Sequence, residues 1–104
     1  MDERERRMIE TETLFREVNE FRDADKTSTG EYFCECVKPD CTSPISLTHE
    51  QYARVRTDPR QFIVLPLHFT SEIETLVSKN EGHWLVRKTG EAGEYVDRLD
   101  PPSR

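Results

Sequence analysis

Between about residues 2 and 24 the chain has neither proline nor glycine, and its apolar positions recur at helical spacing. Leu14, Val18 and Phe21 fall at i, i+4 and i+7, with Met8 and Phe15 flanking them. This pattern predicts an amphipathic helix whose narrow stripe can pack on the domain or on a partner. Glu10, Glu12, Glu17 and Glu20 alternate with Arg16 and Arg22 and read as the solvated side. The first seven residues are nearly all charged and are expected to fray.

Residues 25–30 (Asp-Lys-Thr-Ser-Thr-Gly) have the composition of a linker. The pattern then changes period. Residues 31–37 are aromatic-rich and alternate, which is strand-like, and Lys38-Pro39-Asp40 is a turn. Ile45-Ser46-Leu47 is a second apolar segment leading to Thr48-His49-Glu50-Gln51, a capping box with Thr48 as N-cap. The helix it opens contains Tyr52 and Val55 and must end by Asp58, because Pro59 follows. Residues 61–65 are β-branched, aromatic and aliphatic, a buried strand ending at Pro66. Ser71-Glu72-Ile73-Glu74 is read as another capping box, opening a short helix with Ile73, Leu76 and Val77 inward and stopping at Asn80-Glu81-Gly82. Residues 83–88 form a strand, and residues 91–99 are weakly helical up to Pro101-Pro102.

The expected fold is therefore α+β: a small sheet with short helices in residues 30–104, preceded by the charged amphipathic helix and linker of residues 1–29. The chain has 104 residues, of which 34% are hydrophobic and 35% charged, and its mean hydropathy is −0.82. Such a domain can bury only a thin core, and small domains of this kind commonly add a metal or a second copy.

The three cysteines supply the candidate. They fall within eight positions as Cys34-x-Cys36-x4-Cys41. On an extended strand Cys34 and Cys36 point the same way, and the turn at residues 38–40 can fold Cys41 back to them. Three thiolates plus one imidazole make a closed tetrahedral zinc site. The fourth ligand must come from His49, His68 or His83. His68 is preferred because it follows the buried strand and Pro66, where a rigid turn can aim its ring. His49, in the first turn of a helix, is the chief rival, and His83 reads as a half-exposed strand residue. Zn2+ is thus the expected cofactor. A thiol switch among the same cysteines ranks second, and three inert buried thiols third. Glu35, between two cysteines, reads as a solvated strand residue.

The net charge of −6 and a pI near 5.1 disfavour a general nucleic-acid binder or a ligand of anionic membranes. The basic residues concentrate at Arg54, Arg56 and Arg60, with Arg87 and Lys88 as further candidates. No apolar run approaches the roughly 20 residues of a membrane span, and the charged start lacks the apolar stretch of a secretory signal. A reducing, cytoplasmic location is the default, and there clustered cysteines read as ligands rather than disulfides.

Taken together, these residues resemble a family of short, uncharacterised bacterial proteins. The similarity runs through Leu14-Phe15-Arg16-Glu17-Val18-Asn19-Glu20, the Cys34-Glu35-Cys36-x4-Cys41 cluster, Leu47-Thr48-x3-Tyr52, Val55-Arg56-x-Asp58-Pro59 and Pro66-Leu67-His68. The family is expected to carry glycine where this chain has Leu67. The resemblance implies a shared metal site and no particular activity. No Gly-rich phosphate loop, nucleophile elbow or spaced carboxylate pair stands out. The expected function is accordingly a non-enzymatic regulatory or protein-interaction module, with Leu14, Val18 and Phe21 meeting a partner protein. The alternative is a zinc-finger-like nucleic-acid-binding regulator using Arg54, Arg56 and Arg60, with a thiol redox switch as a distant third.

Overall fold

The computed structural model describes residues 1–24, 30–41 and 43–99. Their order is α1 (Glu3–Ala24), β1 (Glu31–Phe33), β2 (Pro44–Ser46), α2 (His49–Val55), β3 (Gln61–Val64), β4 (Glu74–Asn80), β5 (His83–Lys88) and α3 (Gly90–Leu99). The fold is α+β, as the pattern predicted. Antiparallel β1 and β2 make a two-stranded ribbon, and a three-stranded antiparallel sheet runs in the order β3-β5-β4. Most of the linker and the Pro101-Pro102 stop lie outside the described residues.

Local chemistry fixes the helix ends. Thr48 Oγ1 accepts the Gln51 N–H at 3.1 Å while Gln51 Oε1 accepts the Thr48 N–H at 2.8 Å, the reciprocal box expected for α2. A similar exchange starts α1, where Asp2 Oδ1 accepts the Glu5 N–H at 2.8 Å and Glu5 Oε1 accepts the Asp2 N–H at 3.3 Å. The charged first residues, expected to fray, are helical from Glu3. The Met1 ammonium lies 2.8 Å from Glu91, and Arg4 pairs with Glu72.

The expected helix after Ser71 is instead strand β4. Glu74 does reach back, its Oε2 accepting the Thr70 N–H at 2.9 Å, but that bond closes a turn. Thr75 and Val77 are β-branched, and Asn80-Glu81-Gly82, with Gly82 at φ +87°, joins β4 to β5 as a hairpin. A bulge between Leu76 and Ser78 turns Val77 outward on this edge strand.

α1 packs inside out. Its buried residues are Ile9, Glu12, Thr13, Arg16 and Asn19, a stripe of helical spacing that is mostly polar. Leu14, Val18 and Phe21 are exposed, at 59%, 38% and 82%. Glu12 and Arg16, read as solvated, are fully buried. The reason lies across the interface, where the sheet offers charges that must be met. The Lys88 ammonium donates to Glu74 Oε1 at 2.6 Å and lies 3.0 Å from Glu12 Oε1, all three side chains being sealed from water. It also sits 4.0 Å from the centre of the Phe62 ring. Arg16 lies 4.9 Å from the same ring centre and donates to the Pro59 carbonyl at 2.8 Å. Arg16 and Asn19 on this face meet the buried Pro59 carbonyl and Glu35, and leaving such groups unpaired costs about 1–3 kcal/mol each, at least as much as the roughly 1–2 kcal/mol gained by turning one more apolar side chain inward.

The apolar core lies around Tyr32, Ile45, Tyr52, Phe62, Ile63, Val64, Val86 and Val96, with Cys34 and Cys36 at its edge. Cys34 and Cys36 thus belong to the buried core.

Candidate metal centre

Regular β1 pairing ends at Phe33, earlier than the strand expected through residue 37. The chain stays extended beside β3 for two residues more: the Glu35 N–H donates to the Ile63 carbonyl at 2.7 Å, and the Leu65 N–H donates to Cys34 Sγ at 3.1 Å. The turn at residues 38–40 closes with the Cys41 N–H donating to the Lys38 carbonyl at 3.1 Å, which returns Cys41 to the other two.

His68 arrives from the opposite side. Its N–H donates to the Leu65 carbonyl at 3.0 Å, Pro66 occupies the second turn position, and Leu67 the third with φ +72°. Proline followed by a left-handed residue defines a type II turn, whose third position favours glycine. Leu67 thus stands at a position whose backbone favours glycine.

One potential ligand atom from each of Cys34, Cys36, Cys41 and His68 lies within 4.8 Å of the others. His68 Nδ1 is 3.4 Å from Cys34 Sγ and 3.8 Å from Cys41 Sγ. Tetrahedral zinc, with bonds of about 2.0–2.1 Å to nitrogen and about 2.3 Å to sulfur, places such atoms roughly 3.6 Å apart. The four donor atoms therefore lie close enough to hold a metal ion. Cys34 and Cys36 are buried, and Cys41 is partly exposed.

The three thiols are not equivalent without the ion. A hydrogen bond from Cys34 lowers Cys36 to about 5, helped by the Lys38 N–H and His68 and opposed by burial. Acting as donor pushes Cys34 strongly upward, with burial adding to the shift, and burial also raises Cys41.

The other histidines are placed elsewhere. His49 Nδ1 lies 2.8 Å from Asp23 Oδ1 and 3.4 Å from Tyr32 Oη, tying α2 to the end of α1. It is thus engaged away from the cysteines. His83 opens β5 opposite Asn80.

The reading of Glu35 as a solvated residue is corrected. Its side chain is fully buried and accepts from Asn19 Nδ2 at 2.8 Å, Tyr52 Oη at 2.7 Å and the Ile63 N–H at 3.0 Å. Burial raises its pKa, while these donors and the nearby Arg56 charge oppose the rise. The alternation that sends Cys34 and Cys36 to one side necessarily sends Glu35 to the other, which here is the interior. The alternation is legible in the sequence, but which of its two sides is the interior is not.

The arginines do not converge into a free basic face. Arg56 donates to the Gln61 carbonyl at 2.7 Å and pairs with Glu20 at 3.3 Å; Arg60 pairs with Asp97 at 2.6 Å. Arg87 pairs with Asp58 at 2.6 Å, and Lys88 is buried. Arg54 remains on the exposed side of α2.

Among the described residues no helix is long and apolar enough to cross a membrane. No protein-family model, curated protein or solved structure matches the chain, so the reading of the site rests on its own geometry.

Proposed function

We propose that this chain is a small cytoplasmic zinc protein, with Zn2+ held by Cys34, Cys36, Cys41 and His68, acting as a non-enzymatic regulatory or protein-interaction module. The observation carrying the proposal is the convergence of three sulfurs and one imidazole nitrogen to within 4.8 Å. Soft thiolates with one imidazole in a tetrahedral arrangement select zinc among the divalent ions available to a reducing cell. Four protein ligands close the ion's coordination sphere, and three thiolates donate enough charge to make it a weak Lewis acid. The site therefore stabilises structure rather than activating water.

The interaction half of the reading rests on α1. Its solvent side carries Leu14, Val18 and Phe21 with no described element over them, and exposed apolar stripes of this kind are where proteins meet partners. The nucleic-acid alternative is weakened, because Arg56 and Arg60 already hold carboxylates and the net charge is −6.

Native mass spectrometry with metal analysis tests the proposal. One zinc per chain is expected for the unaltered protein and for His49→Ala, with loss of the ion in Cys34→Ser and weakened retention in His68→Ala. A fully folded, ion-free protein would overturn the reading, as would retention in His68→Ala combined with loss in His49→Ala.

A further inference from the structure

We infer that Asn19, acting through the buried carboxyl of Glu35, couples occupancy of the metal centre to the seating of α1. The inference rests on the metal reading above and adds a regulated element to it.

Asn19 straddles Cys34. Its Oδ1 accepts the Phe33 N–H at 2.7 Å, and its Nδ2 donates to the Phe33 carbonyl at 2.8 Å and to Glu35 Oε2 at 2.8 Å. One side chain on α1 thus grips the residues immediately before and after a ligand. Glu35 in turn gathers donors from three elements: Asn19 on α1, Tyr52 on α2 and the Ile63 amide on β3. Asn19, Glu35 and Tyr52 are all fully buried, so water cannot take over a lost bond in place.

Hydrogen bonds weaken steeply with distance and angle, whereas apolar contacts tolerate sliding. α1 is seated mainly by the directional kind, because Ile9 is its only fully buried apolar residue. With zinc bound, Cys34 and Cys36 are fixed on either side of Glu35, and its carboxyl is held in register with Asn19. Without the ion the same segment keeps its two bonds to the β3 strand and the residue after it. Small shifts of residues 33–36 then fall directly on Asn19. Coupling of this kind is reciprocal: whatever loosens α1 must weaken metal binding by the same factor. Asn19 is a positioning residue and touches no ion.

Amide hydrogen exchange on the full chain, zinc-loaded and EDTA-stripped, is the test. Stripping is expected to speed exchange across residues 12–20 by about tenfold or more while Val64 and Val86 stay protected. Asn19→Ala is expected to keep one zinc per chain, bind it about tenfold more weakly, and lose the response of α1 to the ion. Should that variant not fold, Glu35→Gln, which preserves volume, carries the same expectations. Unchanged exchange in α1 despite confirmed zinc binding would overturn the coupling and leave the zinc assignment standing. Uniform loss of protection in helix and sheet would overturn it equally, since the effect would then be global unfolding. Absence of bound zinc is read in the mass before any exchange and would remove the metal assignment itself.

Discussion

At the scale of single residues, Leu67 is the clearest compromise in the chain. It holds φ +72° with 82% of its surface exposed, so it contributes strain without burial. The left-handed conformation costs an L-residue about 1–2 kcal/mol, and glycine gives back roughly 0.5–1 kcal/mol through its freer unfolded chain. Leu67→Gly is therefore expected to stabilise the protein by about 0.5–1 kcal/mol, read as a higher urea midpoint with an unchanged slope. A lower midpoint would show that Leu67 contributes a contact that offsets its backbone strain. The grouping of Cys34, Cys36, Cys41 and His68 was legible because three thiols within eight positions have few other uses, and the proline before His68 marked its turn. Glu35 and Asn19 were not read as buried, since nothing local distinguishes a carboxylate satisfied by three distant donors from one facing water.

At the scale of elements, capping chemistry was more reliable than facial polarity. The Thr48 box named the start of α2 correctly, whereas the same logic at Ser71 mistook a turn for a helix. Glu74 can reach back over a turn as readily as over a helical first turn, and the choice was made by pairing of β4 with β5, a non-local event. For α1, periodicity gave the helix but reversed its orientation. The inward polar side chains Glu12, Arg16 and Asn19 answer Lys88, the Pro59 carbonyl and Glu35, each on a separate element of the chain, so no short window along the sequence contains the reason. The outward stripe carries its own expectation. Leu14→Ser combined with Phe21→Ser should change unfolding free energy by no more than about 0.5 kcal/mol per site, as for ordinary surface positions. The same double variant should lose the partners that the unaltered protein captures in a pull-down. Removing α1 altogether would be a poor test, because Asn19 and Arg16 hold buried groups of the domain. A destabilisation above about 2 kcal/mol would mean that these side chains are packed rather than displayed.

At the scale of the whole molecule, stability should carry the signature of the sealed Glu12–Lys88–Glu74 group. Two carboxyls share one ammonium, and Glu12 Oε2 has no hydrogen-bond partner among the described residues. Burial raises Glu12 well above its ordinary 4.5, against the attraction of Lys88. The folded protein thus keeps a proton that the unfolded chain releases. The stabilisation is complete below the unfolded value and fades as pH climbs through the folded one. Glu12→Gln imitates the protonated form, so its advantage over the unaltered protein should grow in urea titrations as pH rises from the unfolded value of 4.5 through the higher folded one. Protonation of the cysteine–histidine group in acid is common to both proteins and cancels in the comparison. A constant difference across that interval would mean that Glu12 is ionised throughout. The α+β class and the cysteine–histidine constellation could both be anticipated from the chain. The polar layer that joins them could not, because it is assembled entirely from contacts between separate elements.

The amide of Asn19 has a second effect, on what the β1–β2 ribbon will accept. By taking both the N–H and the carbonyl of Phe33, it occupies the hydrogen-bonding positions that a neighbouring strand would use at that residue. Ribbons with a bare margin invite extended peptides and self-association. Here one side chain from a helix closes the margin at Phe33, and strand addition there would first have to evict Asn19.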